Sequence, residues 1–168
     1  MVSYLESDRI KLIRFNDRYK TAEYKEWFND HETTRFLNSG RMPIDPDYFQ
    51  DDKNIMWAIT IKEPFRFIGT ITLHDIDWIS RHGTTGYLIG DKEYWGKGIA
   101  TEVIGLVVDY AFGRIGLRQI FAGVVDGNIG SSKALEKNGF TNYAKQPENY
   151  YLEGQYLDTL LYVRSKNR

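Results

Sequence analysis

Two glycines one residue apart, Gly96 and Gly98, stand in the stretch Glu93-Tyr-Trp-Gly-Lys-Gly-Ile-Ala100, between a strand-like and a helix-like segment. A glycine pair at a helix start lets the backbone approach a ligand closely. The unpaired N–H groups of the first helical turn then form an anion site that suits a diphosphate. A tight turn would use the same glycines without any ligand. The stretch is not a Walker loop, because no Gly-Lys-Ser/Thr follows four residues after a first Gly. It also lacks the third glycine and the acidic strand end of a dinucleotide fingerprint. A second polar group, Asn128-Ile-Gly-Ser131, opens another helical pattern, where both Asn and Ser are good helix caps as well as ligand donors and acceptors.

The elements that must position these groups follow from periodicity. Asp8 to Phe15 puts Ile10 and Leu12 on one side in alternation and predicts a half-buried strand. Tyr19 to Leu37 predicts two short helices broken near Asn29-Asp30, where an Asn or Asp caps the second. Asn54 to Ile61 and Phe65 to Leu73 predict a hairpin turned at Lys62-Glu63-Pro64. Thr84 to Ile89 reads as a strand, Gly90 to Gly98 as a polar loop, and Ile99 to Phe112 as a helix with Val103, Leu106, Val107, Tyr110 and Ala111 on one face. Gln119 to Val125 is a further strand, and Ser131 to Asn138 a short helix stopped by Gly139. The chain closes on a long hairpin: Phe140 to about Lys145, a polar stretch, then Tyr150 to Val163 with a turn available at Glu153-Gly154.

Composition narrows the function classes. With 168 residues and neither a linker nor a repeat, the sequence predicts one domain over residues 1–168. Its 22 Lys and Arg nearly cancel 23 Asp and Glu, so the general attraction toward nucleic acid or anionic lipid is missing. The chain has no Cys and only three scattered His, His31, His74 and His82, so neither a thiolate site nor zinc spacing is present and no metal is expected. The opening Met1-Val-Ser-Tyr-Leu-Glu has no basic stretch followed by an apolar one, and no apolar run reaches spanning length, which predicts a cytoplasmic protein.

Taken in order, the strand, the Gly-x-Gly loop with its helix, and the block Asn128-Ile-Gly-Ser131…Glu136-Lys137-Asn-Gly139-Phe140 resemble the GNAT superfamily of acetyl-CoA-dependent acetyltransferases. The similarity is greatest to the ribosomal-protein alanine acetyltransferase branch and covers nearly the whole chain. Arg9-Ile-Lys-Leu-Ile-Arg14 resembles that branch's opening strand, Trp27-Phe-Asn-Asp30 its first helix end, Gly86-Tyr87 its cofactor strand and Gly154-Gln-Tyr-Leu-Asp158 its last hairpin. The resemblance implies an α/β fold with a mixed, mostly antiparallel twisted sheet of about seven strands flanked by about four helices. It implies acetyl-CoA as co-substrate, with the backbone of Leu88 and Ile89 along the pantetheine arm and Trp95, Gly96, Lys97, Gly98, Ile99, Ala100 and Thr101 around the diphosphate. Asn128 would hydrogen-bond the pantetheine, and Ser131 matches a serine proposed to protonate the leaving thiolate. Three features depart from the pattern: Glu93 replaces the loop's leading Gln or Arg, Thr84 and Thr85 precede Gly86 where an acid is common, and Tyr150 holds the place of a glutamate base.

The chemistry itself makes demands. An amine must lose a proton before it attacks a thioester, and the carbonyl oxygen that gains charge needs a donor. His74, Asp75 and Asp77 stand on one side of the expected cleft and Glu148 and Tyr150 on the other; Ser131 and Tyr150 are the catalytic candidates. Residues 23–52 hold eight acidic residues against three basic ones, either a solvated helix face or a surface that attracts a cationic amine such as a peptide N-terminus or a polyamine. An amino group on a nucleotide sugar and a non-catalytic acetyl-CoA-binding module stay open as alternatives, and so does a homodimer.

Overall fold

The alternating segments assemble into one eight-stranded sheet in the computed structural model, which describes residues 4–37 and 53–167. The elements are β1 (Tyr4–Glu6), β2 (Ile10–Arg14), α1 (Ala22–Asn29), α2 (His31–Thr34), β3 (Ile55–Ile61), β4 (Arg66–Asp77), β5 (His82–Ile89), α3 (Ile99–Asp109), β6 (Gln119–Val125), α4 (Ile129–Lys137), β7 (Thr141–Leu152) and β8 (Gln155–Ser165). Their order across the sheet is β1-β2-β3-β4-β5-β6-β8-β7, and only β5 and β6 run parallel. Among the described residues, no helix is long and apolar enough to cross a membrane.

Several boundaries differ from the sequence pattern: β4 runs past Leu73 to Asp77, β5 begins at His82 and α4 at Ile129, and three further differences have a local reason. The eighth strand, β1, has three residues, too few to show a period of two. The helix expected to run to Phe112 is α-helical only to Asp109 and then widens into a π turn, Tyr110–Arg114. There Ile115 N–H donates to Tyr110 O at 3.2 Å and Leu117 N–H to Ala111 O at 2.8 Å. The polar stretch near Gln146–Asn149 does not interrupt the last hairpin: β7 runs through it with register shifts, and Glu148 N–H donates to Asp158 Oδ1 at 2.9 Å. Polar residues are tolerated there because β7 is an edge strand that solvent reaches.

The main core lies on the sheet face covered by α3 and α4. Ile10, Leu12, Trp57, Ile59, Ile71 and Leu73 from β2–β4 meet Val103, Ile104 and Val107 from α3 and Ala134 and Leu135 from α4. On the other face α1 lays Tyr24 and Trp27 against Phe67, with ring centroids 5.9 and 5.1 Å away. Two glycines permit the close approaches. A Cβ on Gly90 would fall 1.9 Å from the Trp27 ring, and one on Gly69 would fall 2.0 Å from Leu88 O across the β4–β5 ladder.

β5 and β6 pair only at their beginnings, His82 with Gln119, Gly83 with Ile120 and Thr84 with Phe121. Beyond Thr84 no ladder joins them, so the sheet opens into a gap whose β5 wall is residues 85–89. Helix α2 bridges this gap. At its start Asp30 and Glu32 accept from Lys92 Nζ, just past β5, at 2.9 and 2.6 Å. At its end Arg35 pairs with Glu153 at the β7–β8 turn, 3.2 Å away, and Arg35 O accepts from Tyr150 Oη at 3.0 Å.

Two expected outcomes follow. Gly69→Ala has no rotamer through which to relieve a clash with backbone, so it should destabilise the fold by about 3 kcal/mol, the upper end of overpacking costs, in chemical denaturation. The second concerns Asp30, whose carboxyl is held down to about 2 by its hydrogen bonds from Lys92 and Thr33. A depressed carboxyl stabilises the native state above its unfolded value and loses that contribution as pH falls through its folded value. The α2 amides should therefore lose hydrogen-exchange protection between about pH 4 and 2 in the wild type. Asp30→Asn should flatten that dependence, and an unchanged acid profile would contradict the bridging role.

Candidate active site

The site is built from one end of β5, the start of α3 and the start of α4. Past Thr84 the β5 backbone keeps N–H and C=O groups on an edge with no strand beside it among the described residues, and such groups require partners. Leu88 and Ile89 lie on this stretch with their side chains buried on opposite faces, so what they present to the gap is backbone. The Ile89 carbonyl already accepts from Trp95 Nε1 at 2.8 Å, which folds the loop back onto the strand end.

The loop then rises through a 3₁₀ turn, Lys92–Tyr94, into Gly96 and Gly98, both left-handed at φ 70° and 76°. That backbone is strained for any residue with a Cβ. Gly98 is the N-cap of α3 and offers no side-chain cap to the first-turn N–H groups. Among the described residues, a Cβ on Gly96 would meet nothing within 4 Å, so the loop is uncovered at this position. Ile99 is buried, while Ala100 and Thr101 are half-buried in the first turn, and Thr101 O accepts from Asn138 Nδ2 at 2.8 Å. The Lys97 ammonium lies 5.2 Å over the Tyr94 ring. Open amides at a helix start and left-handed glycines form a donor set that fits a diphosphate.

Charges around the loop are matched. Glu93, the acid in place of Gln or Arg, lies 3.7 Å from Arg66, whose Nε also sits 2.6 Å from the buried Asp91. Glu102, in the first turn of α3, accepts from Arg9 Nε at 2.6 Å and from Ser7 Oγ. Neither carboxylate is therefore left bare beside the anion site.

On the far wall Asn128 caps α4, its Oδ1 accepting from Ser131 N–H at 3.3 Å. The Ser131 hydroxyl meets the Tyr87 hydroxyl at 2.7 Å, so a β5 side chain and an α4 side chain join across the gap. Burial pushes the Tyr87 phenol up, and its Ser131 hydrogen bond opposes that shift only in part. Tyr87 is the partner that sequence reasoning missed; it packs against the main core, and only the fold brings it to Ser131. Tyr150 lies buried, 4% exposed, among Val125, Leu152 and Phe36, with its hydroxyl on Arg35 O. His74 Nδ1 is 2.7 Å from Asp75 Oδ2 on β4, opposite Thr84 and thus level with the closed end of the gap. Asp77 accepts from the Ile79 and Ser80 N–H groups in the β4–β5 turn. Among the acids expected near an acceptor, Asp30 and Glu32 hold Lys92 and Glu23 lies 3.9 Å from Arg66; Asp45, Asp47, Asp51 and Asp52 lie outside the described residues.

Known proteins resemble this chain in sequence and in fold. The acetyltransferase (GNAT) domain family matches residues 5–141. An uncharacterized N-acetyltransferase of Bacillus subtilis, YoaA, is 32% identical over all of this chain and 99% of its own. The structure of spermidine N-acetyltransferase from Vibrio cholerae in complex with CoA and spermine superposes with a TM-score of 0.81 at 19% identity, covering 95% of this chain and 96% of that one. RimL, a ribosomal L7/L12 alpha-N-protein acetyltransferase solved with coenzyme A, gives 0.82 at 17% identity over 96% and 97%. Those two structures speak for the fold, whereas the family match and the full-length relative decide the membership. On that ground this chain belongs to the GNAT acetyltransferase family and is an N-acetyltransferase.

Proposed function

We propose that the enzyme transfers an acetyl group from acetyl-CoA to a primary amine, either a protein N-terminus, a polyamine or another small amine, within one domain spanning the chain. The observation that carries this reading is the gap past Thr84, which leads from open β5 backbone to the uncapped start of α3 and has the Tyr87–Ser131 pair across it. Acetyl-CoA supplies an activated acyl carbon on a thioester. The amides of Gly96 to Thr101 hold its diphosphate, and the open β5 edge at Leu88 and Ile89, with Asn128 opposite, aligns the pantetheine amides.

As the amine nitrogen bonds to the acyl carbon and the carbon–sulfur bond breaks, the departing sulfur needs a proton. Ser131 Oγ–H donates it, and the Tyr87 phenol, kept protonated by burial, donates in turn to Ser131. The proton that the nitrogen sheds leaves through water and restores Tyr87. Tyr150, on the β6 side of the gap, is the second candidate donor; its bond to Arg35 O also ties α2 to the last hairpin. The acceptor reading is supported by the likeness to the spermidine and RimL structures. The N-acetyltransferase relatives weigh against a non-catalytic binding module.

Thermal denaturation with ligand tests the cofactor. Acetyl-CoA and CoA should raise Tm by mass action, ATP and NAD much less, and equal shifts with ATP would overturn the assignment. Gly98→Val should raise the acetyl-CoA KM strongly in a folded protein, since the side chain strains the left-handed cap and obstructs the approach. Ser131→Ala should lower kcat by about 10- to 10³-fold while acetyl-CoA affinity stays within a few-fold. Full activity in that variant would leave Tyr150 or water as the proton source.

A further inference from the structure

The loop that forms the proposed diphosphate site is held from behind by one residue of a distant strand. Arg9 stands immediately before β2, which lies three strands from β5 on the side away from β6. Its Nη2 donates to Lys97 O at 2.9 Å, and its Nε donates to Glu102 Oε2 at 2.6 Å. A Cβ placed on Gly98 would lie 3.6 Å from the same Nη2, so the guanidinium sits directly behind the cap residue.

Lys97 O and Gly98 N–H belong to one peptide unit. That unit is planar and trans, so its carbonyl and its N–H point in opposite directions. By drawing the carbonyl back toward β2, Arg9 turns the Gly98 N–H forward, toward the open face of the loop and the β6 side. A loop with two left-handed glycines has little of its own to fix that peptide, because the opposite orientation is also accessible to glycine. The second arm of the fork holds Glu102 away from the ligand, so the same guanidinium both aims a donor and neutralises an acid in the first turn of α3.

We infer that Arg9 is the positioning residue of the diphosphate cradle, orienting the Gly98 amide for the phosphates while touching neither the acyl group nor the amine. This rests on the reading of the loop as the acetyl-CoA site. The role requires a fork, because two acceptors on different elements must be held at once; an ammonium or an apolar chain cannot do so.

The test compares coenzyme A with a thioester that has no phosphates. CoA affinity is measured by calorimetry on the wild type, Arg9→Met and Arg9→Lys, and turnover is measured with S-acetyl-pantetheine. Loss of one charge-assisted orienting bond should weaken CoA binding about tenfold in Arg9→Met and about threefold in Arg9→Lys. The kcat/KM for S-acetyl-pantetheine should stay within about twofold of wild type, because that substrate makes no use of the cradle. A wild-type CoA affinity in either folded variant overturns the inference, and so does an equal loss with both substrates, which a merely structural role predicts. If Arg9→Met fails to fold, Arg9→Lys decides by the same criteria. Absence of CoA binding by the wild type overturns the acetyl-CoA reading and this inference together; binding by a wild type whose variants match it overturns only the inference.

Discussion

The parting of β5 and β6 after the Thr84–Phe121 pair is the constraint on which the rest of the structure depends. A strand inside a sheet that loses its neighbour exposes a row of backbone donors and acceptors, and these must be met by solvent or by something with amide-like groups of its own. Here the opening is maintained from three sides. Helix α2 crosses it with ion pairs at one end and a hydrogen bond from Tyr150 at the other. Trp95 fixes the end of β5 by donating to Ile89 O. Asn138, the C-cap of α4, whose Nδ2 reaches both Thr101 O and Ala134 O at 2.8 Å, ties the end of α4 to the first turn of α3.

Electrostatics at this opening are local, in keeping with a chain whose net charge is only −1. Three acids near the start of α3, Asp91, Glu93 and Glu102, would repel a diphosphate if left alone. Each lies against an arginine from another element, Arg66 on β4 or Arg9 ahead of β2. The exposed Glu93–Arg66 pair and the partly exposed Glu102–Arg9 pair contribute little to stability. They set arginine charge against acid charge at the loop, so Glu93 and Glu102 do not stand alone beside the start of α3.

Much of this was legible in the sequence where a signal is local. The left-handed stop at Gly139, the Asp30 cap between two short helices, the Gly-x-Gly loop and the Gln119–Val125 strand all depend on residues within a turn of one another. What escaped was non-local or too short. Nothing in the spacing of Arg9 and Glu102, or of Tyr87 and Ser131, announces that they meet, because those contacts are made by the winding of the sheet and not by periodicity. The acidic stretch was ambiguous for the same reason: composition shows the charges of Asp30 and Glu32, but only the fold shows that Lys92 engages them. The polar run in β7 read as an interruption because polarity signals solvent, and an edge strand satisfies that signal without ceasing to be a strand.

The most direct test of the central claim is amide chemical-shift mapping of the wild-type protein titrated with CoA. The shifts should concentrate at Tyr87 to Ile89, at Gly96 to Thr101 and at Asn128 to Ser131, the three walls of the gap, with Gly98 among the largest. Saturable binding whose shifts fall elsewhere, or along β1 and β7 at the outer edges of the sheet, would contradict the assignment of the opening between β5 and β6 as the cofactor site.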